Sequence, residues 1–125
     1  MYNSNMAIYE SAEDYLERIL ILSEQMEFVR SIDIVNDMGF SKPSVSIAMK
    51  KLQIANYIEV SDKGHITLTK TGEEVAKRIY ERHQVLTKIL VDLGVDRETA
   101  RNDACKIEHD LSDKSFEAIK KHVQR

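Results

Sequence analysis

The stretch Ala104-Cys105-Lys106-Ile107-Glu108-His109 brings a thiol, a carboxyl and an imidazole close together. On a helix, residues three and four apart share a face, so Cys105, Glu108 and His109 would point the same way. A thiolate, a carboxylate and an imidazole on one patch are good ligands for a divalent transition metal. Asp14 and Glu17 in the first helical segment and His83 in the longest one are three further groups of ligand type. If those segments pack together, donors from all of them meet at one place. Plainer readings exist for each. Acidic residues in the first turn of a helix suit the positive end of its dipole, and a lone cysteine behaves as a small buried hydrophobe.

The elements that must position these groups belong to an ordinary globular chain. With 125 residues, 42% hydrophobic and 31% charged, it has the size and composition of one domain or of two small modules sharing a core. No apolar run approaches the roughly 20 residues needed to cross a bilayer, so no membrane association is expected. The residues from Met1 to Asn5 lack the basic and apolar regions of a secretory signal. The single cysteine cannot form an internal disulfide, which fits a reducing, cytoplasmic location. The net charge of −3 argues against nucleic-acid binding, but its distribution is uneven. Residues 1–29 carry one basic residue against six acidic ones, whereas residues 30–82 carry nine against seven. Bound cations would offset part of the acidic end.

Taken in order, Ser11 is expected to cap a first helix through Tyr15, Leu16, Ile19, Leu20 and Leu22, ending near Met26. Residues 31–38 form a short helix with Ile32, Val35 and Met38 inward, closed by Gly39. Ser41 caps the next helix, with Pro43 in its first turn and Val45, Ala48, Met49 and Leu52 as its buried stripe. Two brief β-rich runs, 57–60 and 65–68, flank a turn containing Asp62 and Gly64. A helix-turn-helix followed by a hairpin is a winged helix-turn-helix. A long helix then runs to about Leu93 on Val75, Ile79, His83, Leu86, Ile89, Leu90 and Leu93, and ends at Gly94. Asp96 caps a helix carrying Cys105 to His109, and Ser112 caps a last one through Phe116, Ile119 and Val123. The fold class is mainly α. A winged-helix, DNA-binding unit over 1–70 precedes a helical unit over 71–125 that carries the ligand-type residues His83, Cys105, Glu108 and His109, and the two share one helix. Met26, Met38, Met49, Tyr80 and Phe116 read as packing, and His65 and His122 as surface side chains.

These residues resemble the diphtheria-toxin-repressor family of metal-dependent transcription regulators, in particular its short, manganese-transport-regulator-like branch. The resemblance rests on Glu13-Asp14-Tyr15-Leu16-Glu17, Lys42-Pro43-Ser44-Val45-Ser46, Leu68-Thr69-Lys70-Thr71-Gly72, Arg82-His83 and the run from Cys105 to Ser112. It implies a homodimer that binds a palindromic operator when loaded with metal, as a repressor of metal-homeostasis genes. By position, the implied ligands are Asp14, Glu17, His83, Cys105, Glu108 and His109, in sites that often hold two neighbouring ions. The SH3-like C-terminal domain of longer members is not expected. The manganese branch has a carboxylate at Asp14 but usually another where this chain has Cys105. The iron branch has the cysteine, with a methionine in place of Asp14. The ion is therefore expected to be Mn²⁺ or Fe²⁺, with Zn²⁺ or Co²⁺ able to bind in vitro.

On the DNA side, the outward face of the third helix offers Lys42, Lys50 and Lys51 for phosphates and Ser44 and Ser46 for base edges or phosphates. Pro43 starts that helix, Ile47 offers apolar contact only, and Lys63 stands at the tip of the wing. Modest base readout and a large phosphate and shape contribution are expected. Two rival readings remain: a winged-helix regulator without metal control, similar to the multiple-antibiotic-resistance regulators, and a small metalloenzyme with Glu108 as general base. Six protein ligands would leave such an enzyme little room for substrate, so no catalytic role is expected.

Overall fold

The computed structural model describes the backbone of residues 4–124 and the side chains of residues 11–124. The order of elements is α1 (Ser4–Gln25), α2 (Ser31–Met38), α3 (Lys42–Ile54), β1 (Ile58–Val60), β2 (Ile66–Leu68), α4 (Lys70–Asp92), α5 (Arg97–Ile107) and α6 (Asp113–Val123). The chain forms two compact units, one up to Lys77 and one from Arg78 onward, and α4 passes from the first into the second.

In the first unit, α1 starts well before the expected cap, and Ser11 lies inside it. The preceding residues contain no Gly or Pro, so a helix once nucleated has nothing to stop it there. Asp14 and Glu17 consequently stand beyond the first turn, where the helix dipole no longer accounts for them. The apolar stripe is as expected, with Leu16 and Ile19 almost fully buried. Helix α2 turns a different face inward: Ile34 is buried and Ile32 is 42% exposed. Four apolar residues in eight positions fit more than one face, and packing on α3 and α1 selects between them. Gly39 ends the helix at φ 73°, in the left-handed region, with its N–H donating to the Val35 carbonyl.

Ser41 caps α3, its hydroxyl accepting from the Ser44 N–H at 3.3 Å. Val45, Met49 and Leu52 are buried, and β1 packs against this helix. Strands β1 and β2 pair antiparallel with Ile58 opposite Leu68 and Val60 opposite Ile66. Their period-two alternation buries Ile58 and Ile66 and exposes Glu59 and Thr67. A hairpin this short needs outside support. It gets some from the segment after α1, where the Ile66 N–H donates to the Val29 carbonyl at 2.7 Å. Thr69 ties the base of the hairpin: its N–H donates to the Tyr57 carbonyl, its hydroxyl donates to the Asn56 carbonyl, and that hydroxyl accepts from the Gly72 N–H. Only glycine fits at position 72, because a Cβ there would collide with the Tyr57 carbonyl oxygen.

In the second unit, Ile79, Leu86, Ala100, Ala104 and Phe116 are buried. Leu93, expected on the buried stripe of α4, is 75% exposed. The helix ends at Asp92, and the chain turns through Gly94 at φ 105°, so the helical period no longer holds at Leu93. Asp96 and Ser112 cap α5 and α6 as expected, accepting from Thr99 N–H at 3.0 Å and Ser115 N–H at 3.1 Å.

Candidate metal centre and nucleic-acid interface

Helix α5 ends at Ile107, so the expectation that it carries Cys105 through His109 is corrected. Glu108 is its C-cap residue and His109 lies in the turn beyond. The Glu108 N–H still donates to the Ala104 carbonyl at 2.9 Å, which keeps Glu108 on the face of Cys105. His83 on α4 completes the group. One donor atom from each of His83, Cys105 and Glu108 lies within 4.8 Å of the others.

Glu108 is the centre of this group. Its side chain is fully buried, its Oε2 is 2.9 Å from His83 Nδ1, and its Oε1 is 3.6 Å from His109 Nε2. Oε1 has no hydrogen-bond partner among the described residues. A buried carboxylate oxygen without a hydrogen bond costs on the order of 1–3 kcal/mol or more. An ion ligated there would supply the missing partner. Thiolate, imidazole and carboxylate together form a donor set suited to a divalent transition ion, so the residues present fit a metal.

Arg82, immediately before His83, is only 2% exposed. Its Nη1 donates to the Glu108 carbonyl at 3.0 Å and the Leu111 carbonyl at 2.7 Å, and its Nη2 to Asp113 Oδ1 at 2.5 Å. The guanidinium carbon sits 5.1 Å from the centre of the Phe116 ring. Sequence reading assigned Arg82 no role, because its partners lie 26 to 31 residues away and leave no local spacing signal.

In the first unit, Asp14 is half-buried on α1 and Glu17, one turn on, is 4% exposed. Glu13, which belongs to the run that carries the resemblance but was given no site role, is buried as well, at 2% exposure.

The outward face of α3 is as expected. Lys42, Pro43, Ser44, Ser46, Ile47, Lys50 and Lys51 are all exposed. Ser44 has a second task, since the Ser41 hydroxyl donates to its oxygen at 2.8 Å, but its own O–H stays available. Lys63 is exposed in the hairpin turn next to Gly64, which has φ 79°. His65, expected as a free surface side chain, is instead part of a small cluster. It stacks on Phe28 with centroids 4.1 Å apart, and its Nε2 lies 2.8 Å from Arg30 Nη2. Bracing of the wing from the α1–α2 connection accounts for this. Proximity of segments so distant in sequence is set by the fold.

Comparison with known proteins matches both units. Residues 7–66 match the family described as the N-terminal DNA binding domain of iron dependent repressors, and residues 69–125 match their metal binding and dimerisation domain. An uncharacterised HTH-type transcriptional regulator of Methanocaldococcus jannaschii is 36% identical over 118 residues, covering 93% of this chain and 94% of that protein. The transcriptional regulator MntR of Escherichia coli is 34% identical over 116 residues, covering 93% of this chain and 75% of MntR. The solved structure of the manganese regulator SloR superposes with a TM-score of 0.82 at 30% identity over 90% of this chain. The chain spans about half of that structure, 53% of its length.

Proposed function

Since the chain belongs to the diphtheria-toxin-repressor family of metal-dependent DNA-binding transcription regulators, on its MntR-like branch, we propose that it senses Mn²⁺ or Fe²⁺ and controls metal-homeostasis genes as a repressor. The observation that carries the metal reading is the buried Glu108, with one oxygen lacking a hydrogen bond, held against His83, Cys105 and His109. His83, Cys105, Glu108 and His109 are the proposed ligands in the second unit. Asp14 and Glu17 are proposed as oxygen ligands on the family resemblance, with one or two ions per subunit. Zn²⁺ and Co²⁺ bind the same donors in vitro.

The proposed working form is a cytoplasmic homodimer on a palindromic operator. No described helix is long and apolar enough to cross a membrane. In a dimer of this kind two recognition helices enter successive major grooves about 34 Å apart. Metal loading favours the arrangement of the dimer that meets this spacing, a population shift whose size equals the difference in ion affinity between the two arrangements. Lys42, Lys50, Lys51 and Lys63 are proposed for phosphates, Ser44 and Ser46 for phosphates or base edges, Pro43 for orienting the helix start, and Ile47 for apolar base contact. The family is one of transcription regulators, and no catalytic step is proposed.

The test is DNA binding to duplexes selected from a random pool in the presence of Mn²⁺, then repeated with chelator. Binding that depends on the ion supports metal control. Binding indifferent to the chelator supports a winged-helix regulator without it.

A further inference from the structure

We infer that Arg82 is the positioning residue of the metal centre, setting where Glu108 and His109 present their donor atoms. The inference rests on the reading of that cluster as a metal site. Glu108 is the C-cap residue of α5, its N–H still bonded to the Ala104 carbonyl, but its own carbonyl stands at the open end of the helix and His109 lies in the turn beyond. The closing carbonyls of a helix need donors from elsewhere. Arg82 supplies one for Glu108: one nitrogen serves both the Glu108 carbonyl and the Leu111 carbonyl in the connection to α6, and the other holds Asp113 in the first turn of α6. The segment bearing two ligands is thus pinned at both ends by one side chain. Arg82 directly precedes the third ligand, His83, on the rigid body of α4, so the same clamp fixes His83 relative to Glu108. The Phe116 ring packs against the guanidinium and restricts its movement. A planar fork with fixed donor directions suits this task, and a lysine ammonium at the same place cannot reproduce it.

Arg82→Lys keeps the charge and loses the fork, and it can be tested by titrating the full chain with Co²⁺. The absorption bands of bound Co²⁺ report coordination geometry and thiolate ligation, which a purely structural role for Arg82 would leave unchanged. Arg82→Lys is expected to weaken Co²⁺ binding by about 10- to 100-fold, the usual effect of losing a group that orients ligands, and to alter the d–d bands. A folded Arg82→Lys protein with Co²⁺ affinity and spectrum like those of the wild type would overturn the inference. Should Arg82→Lys fail to fold, Asp113→Asn replaces it, because it weakens the anchor at α6 and leaves both carbonyl bonds in place. Weaker binding with altered bands then supports the inference, and an unchanged titration overturns it. Glu108→Gln in the same series tests the underlying reading. If Glu108→Gln binds Co²⁺ as tightly as wild type, that reading fails and the inference with it. If only Glu108→Gln loses affinity, the metal reading stands and Arg82 is removed.

Discussion

Replacing Glu108 by Gln should change stability in opposite directions with and without metal. The Glu108 side chain is fully buried, and Oε1 has no hydrogen bond. Without an ion, that oxygen costs the protein about 1–3 kcal/mol or more. Glutamine keeps the shape and can keep an acceptor toward His83, while removing the buried charge. The ion-free variant is therefore expected to be as stable as wild type or more so. With an ion present at about 100 times its dissociation constant, wild type gains about 2.7 kcal/mol by mass action. A variant binding about a hundredfold more weakly gains only about 0.4 kcal/mol under the same conditions. For a chain of this size each kcal/mol moves the melting temperature by roughly 3–5 °C, so wild type should rise by about 10 °C and the variant by 1–2 °C. Differential scanning calorimetry in chelator and in excess Mn²⁺ measures all four values. An ion-free variant melting well below ion-free wild type, or an equal gain from Mn²⁺ in both proteins, would refute this role of Glu108.

Cys105→Glu should raise the response to Mn²⁺ relative to Zn²⁺ or Co²⁺, because a hard oxygen replaces a soft thiolate. Titration of each ion against DNA affinity checks it, and an unchanged ion ranking in a folded variant removes Cys105 from the site. Lys51→Ala should reduce the slope of log affinity against log salt by about 1 if the side chain contacts a phosphate. An unchanged slope would mark Lys51 as an ordinary solvated residue. Gly72→Ala would normally gain about 1 kcal/mol in a helix, but the new Cβ meets the Tyr57 carbonyl, so a loss of about 1–3 kcal/mol is expected in denaturant melts. Hydrogen bonds from the backbone and side chain of Thr99 hold the Asp96 carboxyl below its ordinary range. A lowered value means the carboxylate stabilises the fold above the ordinary carboxylate range and loses that contribution as pH falls through its folded value. Asp96→Asn, which keeps an acceptor for the cap, should therefore flatten the dependence of melting temperature on pH in the acid range, as scanning calorimetry would show.

Local chemistry made the helix-turn-helix and wing legible. The left-handed residue at Gly39 and the caps at Ser41, Asp96 and Ser112 each act within a few residues, and sequence reading placed all four where the structure has them. Periodicity was less decisive. It could not separate Ile32 from Ile34 in a helix of eight residues, nor say that the period stops before Leu93. Spacing put Cys105 and Glu108 on one face, as the structure has them, and it also suggested a helix that continues through His109. The helix in fact ends at Ile107, and Glu108 and His109, the proposed ligands at and beyond its end, lie among contacts with residues distant in sequence. Contacts of this kind were not legible in either unit: in the second, Arg82 reaches Glu108, Leu111 and Asp113, and in the first, His65 reaches Phe28 and Arg30. Such pairs leave no periodic trace, because the intervening chain can be of any length.

Fluorescence anisotropy of one selected palindromic duplex, titrated with protein at fixed ionic strength in Mn²⁺ and in chelator, tests metal control most directly. An allosteric coupling of ordinary size predicts binding about 5- to 150-fold tighter with the ion. Equal affinity in the two conditions at matched salt would contradict it.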